Sequence, residues 1–160
     1  MTQVARDGLR GLIKRIAKLT EADREVDCLI VIALDLRPSW MAGDGGHLWL
    51  DKKAWRPTVR LNRLGGRNSA GNTPINDDDI PRFTASVDDA LGLVAQVLPQ
   101  RAKLILEWRG GDLVAADTCT ASFYDEPEQF GATLPLAILL ALLSALESAS
   151  DQSPTPAGGE

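Results

Sequence analysis

Pro81-Arg82-Phe83-Thr84-Ala85-Ser86 opens the stretch whose reading decides the fold, and Thr133-Leu134-Pro135-Leu136-Ala137 opens its last element. Thr84 or Ser86 caps a helix expected over 87–98, with Asp88 and Asp89 in the first turn, where negative charge suits the helix dipole. Pro99 stops it. Residues 103–109 and 113–124 read as an antiparallel pair turned by Gly110-Gly111-Asp112, and 125–131 read as a loop. Pro135 fits the first turn of a final helix, where its missing N–H is harmless. That helix, running to about 149, is rich enough in leucine to be largely covered by the sheet and its neighbours. The order predicts a single α+β domain over 1–149, a central and mainly antiparallel sheet packed by helices.

Upstream, Leu9, Leu12, Ile13, Ile16 and Leu19 recur at helical spacing, with arginine and lysine on the other face. Thr20 serves as the cap of a second helix over 21–34, with Asp23 as a capping-box partner. Its second half, Cys28-Leu29-Ile30-Val31-Ile32-Ala33-Leu34, is apolar all round and calls for packing on most sides; Arg37-Pro38 ends it. Residues 36–79 form an irregular insertion. Two short strands are expected at 47–51 and 58–62, and 64–79, rich in Gly, Asn and Asp, reads as a mobile loop. The tail, 150–160, has nothing to bury and is expected to be disordered. The expected core contains Ile30, Leu34, Leu91, Val94, Leu104, Leu106, Val114, Ile138 and Leu142.

At 160 residues, 44% of them hydrophobic, the chain is long enough to bury a real core. A net charge of −5 argues against nonspecific duplex DNA binding. The start of the chain is polar and charged through Arg10, unlike a signal peptide. The longest apolar run, 134–143, falls short of the roughly 20 residues that span a bilayer. A cytoplasmic location is the resulting expectation. Cys28 and Cys119 are far apart in apolar segments and read as buried, reduced thiols.

Catalytic chemistry finds little to stand on. His47 is the only histidine, and no serine near it sits in a nucleophile elbow. Asp77-Asp78-Asp79 lacks the flanking pattern of a calcium loop and reads as a solvated turn before Pro81. Two isolated cysteines and one histidine have no zinc spacing, and Gly65-Gly66-Arg67-Asn68-Ser69-Ala70-Gly71 lacks the Lys-Ser/Thr ending of a phosphate loop. No catalytic residue, metal or cofactor is predicted.

One segment departs from the acidic background. From Asp51 to Arg67 six basic residues (Lys52, Lys53, Arg56, Arg60, Arg63 and Arg67) face a single acidic one, with Trp49 and Trp55 in or beside them. Arginine forks bind phosphate or carboxylate in pairs of hydrogen bonds, and an indole stacks on a base or a cation. The plain alternative is that the arginines solvate an edge strand while the tryptophans fill the core. Trp49, Trp55, Arg56, Arg60, Arg63 and Arg67 are the candidate binding residues.

Three sets of residues carry a family resemblance: Pro81-x-Phe83-Thr84-x-Ser86-x-Asp88-x-Ala90, then Trp108, then Ala132-Thr133-Leu134-Pro135-Leu136-Ala137 before a Leu/Ala helix. Together with Asp23-Arg24-Glu25-Val26-Asp27 upstream, they resemble the phage ABA sandwich domain family over residues 12–149. The resemblance implies a three-layer α-β-α domain encoded by phages and prophages, with no catalytic residues to carry over. The long 36–79 segment departs from the family's usual pattern. The function expected on this basis is a non-catalytic accessory protein that binds a host or antiviral-defence protein. The runner-up is a sponge for a nucleotide signal, an anionic small molecule held by the basic segment. No membrane partner is expected, and the oligomeric state stays open.

Overall fold

The computed structural model describes residues 3–39, 46–62, 72–98, 103–109, 118–123 and 127–151. Helix α1 spans Gln3–Ile16 and α2 Arg24–Ala33; the hairpin β1, His47–Asp51, and β2, Thr58–Asn62, comes next. Strand β3 covers Asn72–Pro74, and a single 3₁₀ turn covers Asp77–Asp79. Helix α3, Val87–Val97, leads to β4, Leu104–Arg109, β5, Thr118–Phe123, β6, Gln129–Gly131, and α4, Leu134–Asp151. The chain is thus α+β, and every strand pairing is antiparallel. The expected single central sheet is corrected: the described strands form two three-stranded sheets, β1-β2-β3 and β4-β5-β6.

The centre is taken by α4. Residues 136–143 are all buried, around the whole circumference of the helix, because α1, α3, β5 and β6 all pack against it. Pro135 sits in its first turn, and the Thr133 carbonyl accepts the Ala137 N–H at 3.0 Å. Gly131, at the end of β6, passes so close to this turn that a Cβ there would lie 2.4 Å from the Ala137 nitrogen. No residue larger than glycine fits without parting strand from helix. The helix continues through Ser150, which is buried, to Asp151, so the first two residues of the expected tail are helical; 152–160 lie outside the described residues.

The first sheet covers α2. Its register sets Leu48 opposite Leu61 and Leu50 opposite Val59, placing the apolar side chains on one face. Trp49 and Arg60 pair on the other. Both hairpin strands fall where the alternation predicts them. The loop expected over 64–79 is corrected: β3 pairs with β2, the Ile75 N–H reaches the Val59 carbonyl at 2.9 Å, and Ile75 and Ile80 are buried. Three residues ending in proline show no period that could announce a strand; pairing to β2 makes it one. Residues 63–71 lie outside the described residues.

In the second sheet, Cys119, Ala121 and Phe123 of β5 are buried beneath α4. Arg109 stands opposite Thr118; the turn expected at 110–112 lies outside the described residues, with the rest of 110–117. The expected loop over 125–131 contains β6, paired to β5 through Thr120 and Phe130.

Helix boundaries show which local signals won. Asp23, not Thr20, caps α2: its Oδ1 accepts the Glu25 N–H at 2.8 Å and the Val26 N–H at 3.4 Å. A carboxylate is a strong acceptor for exposed helix N–H groups, and this one is oriented from outside by Arg15. The helix ends before Arg37-Pro38, in a Schellman turn. Asp35 takes the left-handed conformation (φ 49°), its N–H bonds the Ile32 carbonyl, and the Leu36 N–H bonds the Val31 carbonyl. Ser86 caps α3 through the Asp89 N–H at 3.2 Å.

Of the expected core, Ile30, Ile138 and Leu142 are fully buried, while Leu34, Val94 and Leu104 pack half-buried against it. Leu91 and Leu106 are corrections, 36% and 39% exposed. The buried stripe of α3 runs through Ala90 and Leu93, one position away from Leu91. Leu106 lies on the edge strand β4, and α4 packs on β5 and β6 instead. Val114 lies outside the described residues.

Candidate functional site

The turn between β1 and β2 is held by its own residues and by α2. Asp51 Oδ1 accepts the Lys53 N–H at 3.0 Å, and its Oδ2 takes Arg60 Nε at 2.8 Å across the hairpin. The Lys53 amide and the Arg60 guanidinium hold the Asp51 carboxyl below its ordinary range. Thr58 Oγ1 donates to the Arg56 carbonyl at 3.0 Å. At one end Lys52 Nζ sits 3.0 Å from Glu25 of α2; at the other the Cys28 thiol donates to the Pro57 carbonyl at 3.7 Å. What this platform presents is Trp55, 86% exposed, with the Arg56 guanidinium 4.1 Å from the centre of its ring. A cation over an indole face is held by the ring quadrupole.

The candidate binding residues therefore separate. Trp55 and Arg56 stand together at the surface. Arg60 has its Nε engaged by Asp51 within the hairpin, and Trp49 is half-buried on the same strand face. Arg63 and Arg67 lie outside the described residues.

Beside the turn lies a cavity of about 340 Å³, walled by Arg24, Asp27, Arg56, Pro57, Asp77 and Arg82 among others. Its floor is an interlock between the start of α2 and the 77–86 turn. Arg24 Nε donates to Asp77 Oδ1 at 3.0 Å. Its Nη1 donates to the Pro81 carbonyl at 2.9 Å and Asp27 Oδ2 at 3.4 Å, and its Nη2 to the carbonyls of Ile80, at 2.8 Å, and Asp77. A guanidinium has five N–H donors, so these acceptors engage every one. The buried Thr84 N–H donates to Asp27 Oδ1 at 2.8 Å, and the Asp23 N–H donates to Thr84 Oγ1 at 3.1 Å. Burial pushes the Asp27 carboxyl above its ordinary value, against the opposing pull of the Thr84 N–H and Arg24. The residues that carry the family resemblance, Asp23-Arg24 with Asp27 and Pro81 with Thr84, are the two halves of this interlock.

Arg56 and Arg82 differ from Arg24. They reach the cavity from separate segments, and among the described residues neither side chain is in an ion pair, although the Arg82 backbone N–H donates to Asp89 Oδ2 at 2.8 Å. Sequence reasoning missed Arg24 and Arg82 as cavity residues. Their signal was present in the two quoted motifs, but only the folded chain brings those motifs together.

Other groups offer less. Burial pushes the Cys28 thiol up to about 11, so it stays protonated at neutral pH. Cys119 is also buried and free. His47 is exposed at the start of β1. Among the described residues no three His, Cys, Asp or Glu side chains converge as metal ligands. No described helix is long and apolar enough to cross a membrane. A second cavity, about 420 Å³, opens between α1 and α2, where Gly8 and Gly11 leave space over α1. Its walls are mostly apolar, and the Arg15 side chain in it is tied to Asp23 and Glu25 at 2.8 and 2.9 Å.

Glu25 gives the platform a pH dependence. Arg15, then Lys52, lower its carboxyl from 4.5 to about 2. A lowered carboxyl contributes stability that is present above its unfolded value and lost as pH falls through the folded one. Wild type is expected to exceed Glu25→Gln in unfolding free energy at pH 6, with the advantage shrinking from pH 4.5 downward and gone below about 2. Urea titrations at several pH values measure this; a difference independent of pH would remove the ion pairs as its cause.

Comparison with family models, with characterised proteins and with solved structures gives no significant match to this chain.

Proposed function

We propose that the chain is a non-catalytic phage accessory protein that acts by binding, with a host or antiviral-defence protein in the host cytoplasm as its target. The carrying observation is Trp55, 86% exposed on a turn pinned at both ends, with Arg56 stacked on its ring. An indole left in water on a rigid turn is an anchor in want of a pocket, and Trp and Arg are the residue types enriched at binding hot spots. The phage setting and a three-layer α-β-α arrangement come from the resemblance in the two interlocking motifs and at the start of α4. The nucleotide-sponge reading draws on a different observation, the arginine-walled cavity beside the turn.

The test is co-purification from host lysate with the full chain and with Trp55→Ala. The expected result is a partner retained by wild type and weakened about thirtyfold by the variant, the scale of losing about 2 kcal/mol at a hot spot. Circular dichroism should be unchanged, because Trp55 contributes nothing to the core. Equal retention by the folded variant would take the turn out of the interface.

A further inference from the structure

We propose that Arg56 and Arg82 form an anion subsite for the phosphate monoester of a mononucleotide, whose base packs on the open face of Trp55. This deepens the small-molecule reading and rests on the Trp55–Arg56 turn as the contact surface.

The charges around the cavity carry the argument. Arg24 is engaged at all five donors, and Asp27 and Asp77 take its charge, so it builds the wall and leaves nothing for a ligand. Arg56 and Arg82 are held differently. The two carboxylates of the cavity wall, Asp27 and Asp77, are taken up by Arg24, so an anion seated there would meet the guanidinium groups of Arg56 and Arg82, which no described ion pair neutralises. Two planar forks match a phosphate monoester, which has three acceptor oxygens and close to two negative charges at neutral pH, better than a carboxylate with one charge. Arg56 also lies over the Trp55 ring, so one side chain borders both the cavity and the stacking surface. A volume of about 340 Å³ is at the small end of ligand pockets, ~300–1,000 Å³, which favours a mononucleotide over a dinucleotide. The chain's net charge of −5 disfavours a nucleic-acid polymer and leaves a local basic site able to take a small anion.

Calorimetric titration of the full chain with a nucleoside 5′-monophosphate, the parent nucleoside and inorganic phosphate tests the subsite. The monophosphate is expected to bind more tightly than either fragment, and more weakly as salt is raised. Arg56→Gln and Arg82→Gln should each weaken it about tenfold or more, and the double variant should abolish it. Trp55→Ala should weaken the monophosphate about tenfold and leave inorganic phosphate unchanged. Both arginines are exposed, so circular dichroism should show all these variants folded. No heat from the monophosphate at millimolar concentration, or unchanged affinity in the folded double variant, overturns the proposal. Arg82→Gln separates it from the protein-binding reading. That variant should bind the monophosphate about tenfold more weakly and keep the co-purifying partner, whereas a Trp55→Ala variant that keeps its partner sinks only the protein-binding reading.

Discussion

Replacing Leu142 by alanine is expected to lower the unfolding free energy by about 2–5 kcal/mol. Leu142 is fully buried on α4, and that helix is enclosed by α1, α3, β5 and β6. The cost of a core truncation depends on how far the surroundings collapse into the space left. Here two helices and a sheet would have to close in from different sides, and Gly131 already sits against the first turn of α4 with no slack. Leu91→Ala is the internal control. Leu91 is equally leucine and equally helical but 36% exposed, so its truncation should cost well under half as much. Urea unfolding with an unchanged denaturant slope measures both. A loss below 1 kcal/mol for Leu142→Ala, or equal losses for the two, would mean that α4 is not the centre of the core.

The interlock should be nearly as sensitive. Arg24→Met is expected to cost about 3 kcal/mol, because it strips the carbonyls of Asp77, Ile80 and Pro81 of donors and leaves the Asp27 carboxylate buried without its cation. Arg24→Lys should recover only part, since an ammonium offers a point charge in place of a five-donor fork. Asp27→Asn should be mild: the amide oxygen can still accept the Thr84 N–H, and no charge has to be buried. The double variant Arg24→Met/Asp27→Asn should then lose less than the sum of the two singles.

The pH dependence of Asp27 has the opposite sign to that of Glu25. Its carboxyl is raised in the fold, so its contribution is fully present below the unfolded value of 3.8 and lost as pH rises through the folded one. Wild type should therefore lose ground against Asp27→Asn as pH rises above 3.8. Denaturation of the four variants across pH 3–7 reads all of this. An additive double variant would show that Arg24 and Asp27 do not act as a pair.

Much of the secondary structure was legible in the residues because its causes are local. The period-2 pattern of Leu48, Leu50, Val59 and Leu61 needs only the neighbouring strand to make sense, and β1 and β2 fall where it places them. Ser86 and Asp89 specify the start of α3 through a bond three residues long. Pro135 and the leucine run after it specify α4 and its burial, because a helix apolar on all sides has nowhere to go but the interior.

What escaped the sequence depends on partners far along the chain. Strands β3 and β6 are three residues each, too short for any period, and exist because β2 and β5 offer them open edges. Leu91 and Leu93 carry the same hydrophobicity, and only the side of α3 that meets α4 decides which is buried; Leu106 is exposed because α4 packs on β5 and β6 and leaves the edge strand β4 uncovered there. The basic segment looked like one patch because charge is counted along the chain. Tertiary structure divided it, turning Arg60 toward Asp51 and leaving Arg56 at the cavity with Trp55. Arg82 joined Arg56 there from outside the segment, because Arg24 draws the 77–81 carbonyls onto the start of α2. Local chemistry selects helices, caps and alternating strands; which cations are neutralised and which remain for a ligand is settled by contacts across more than fifty residues, which no window of sequence contains.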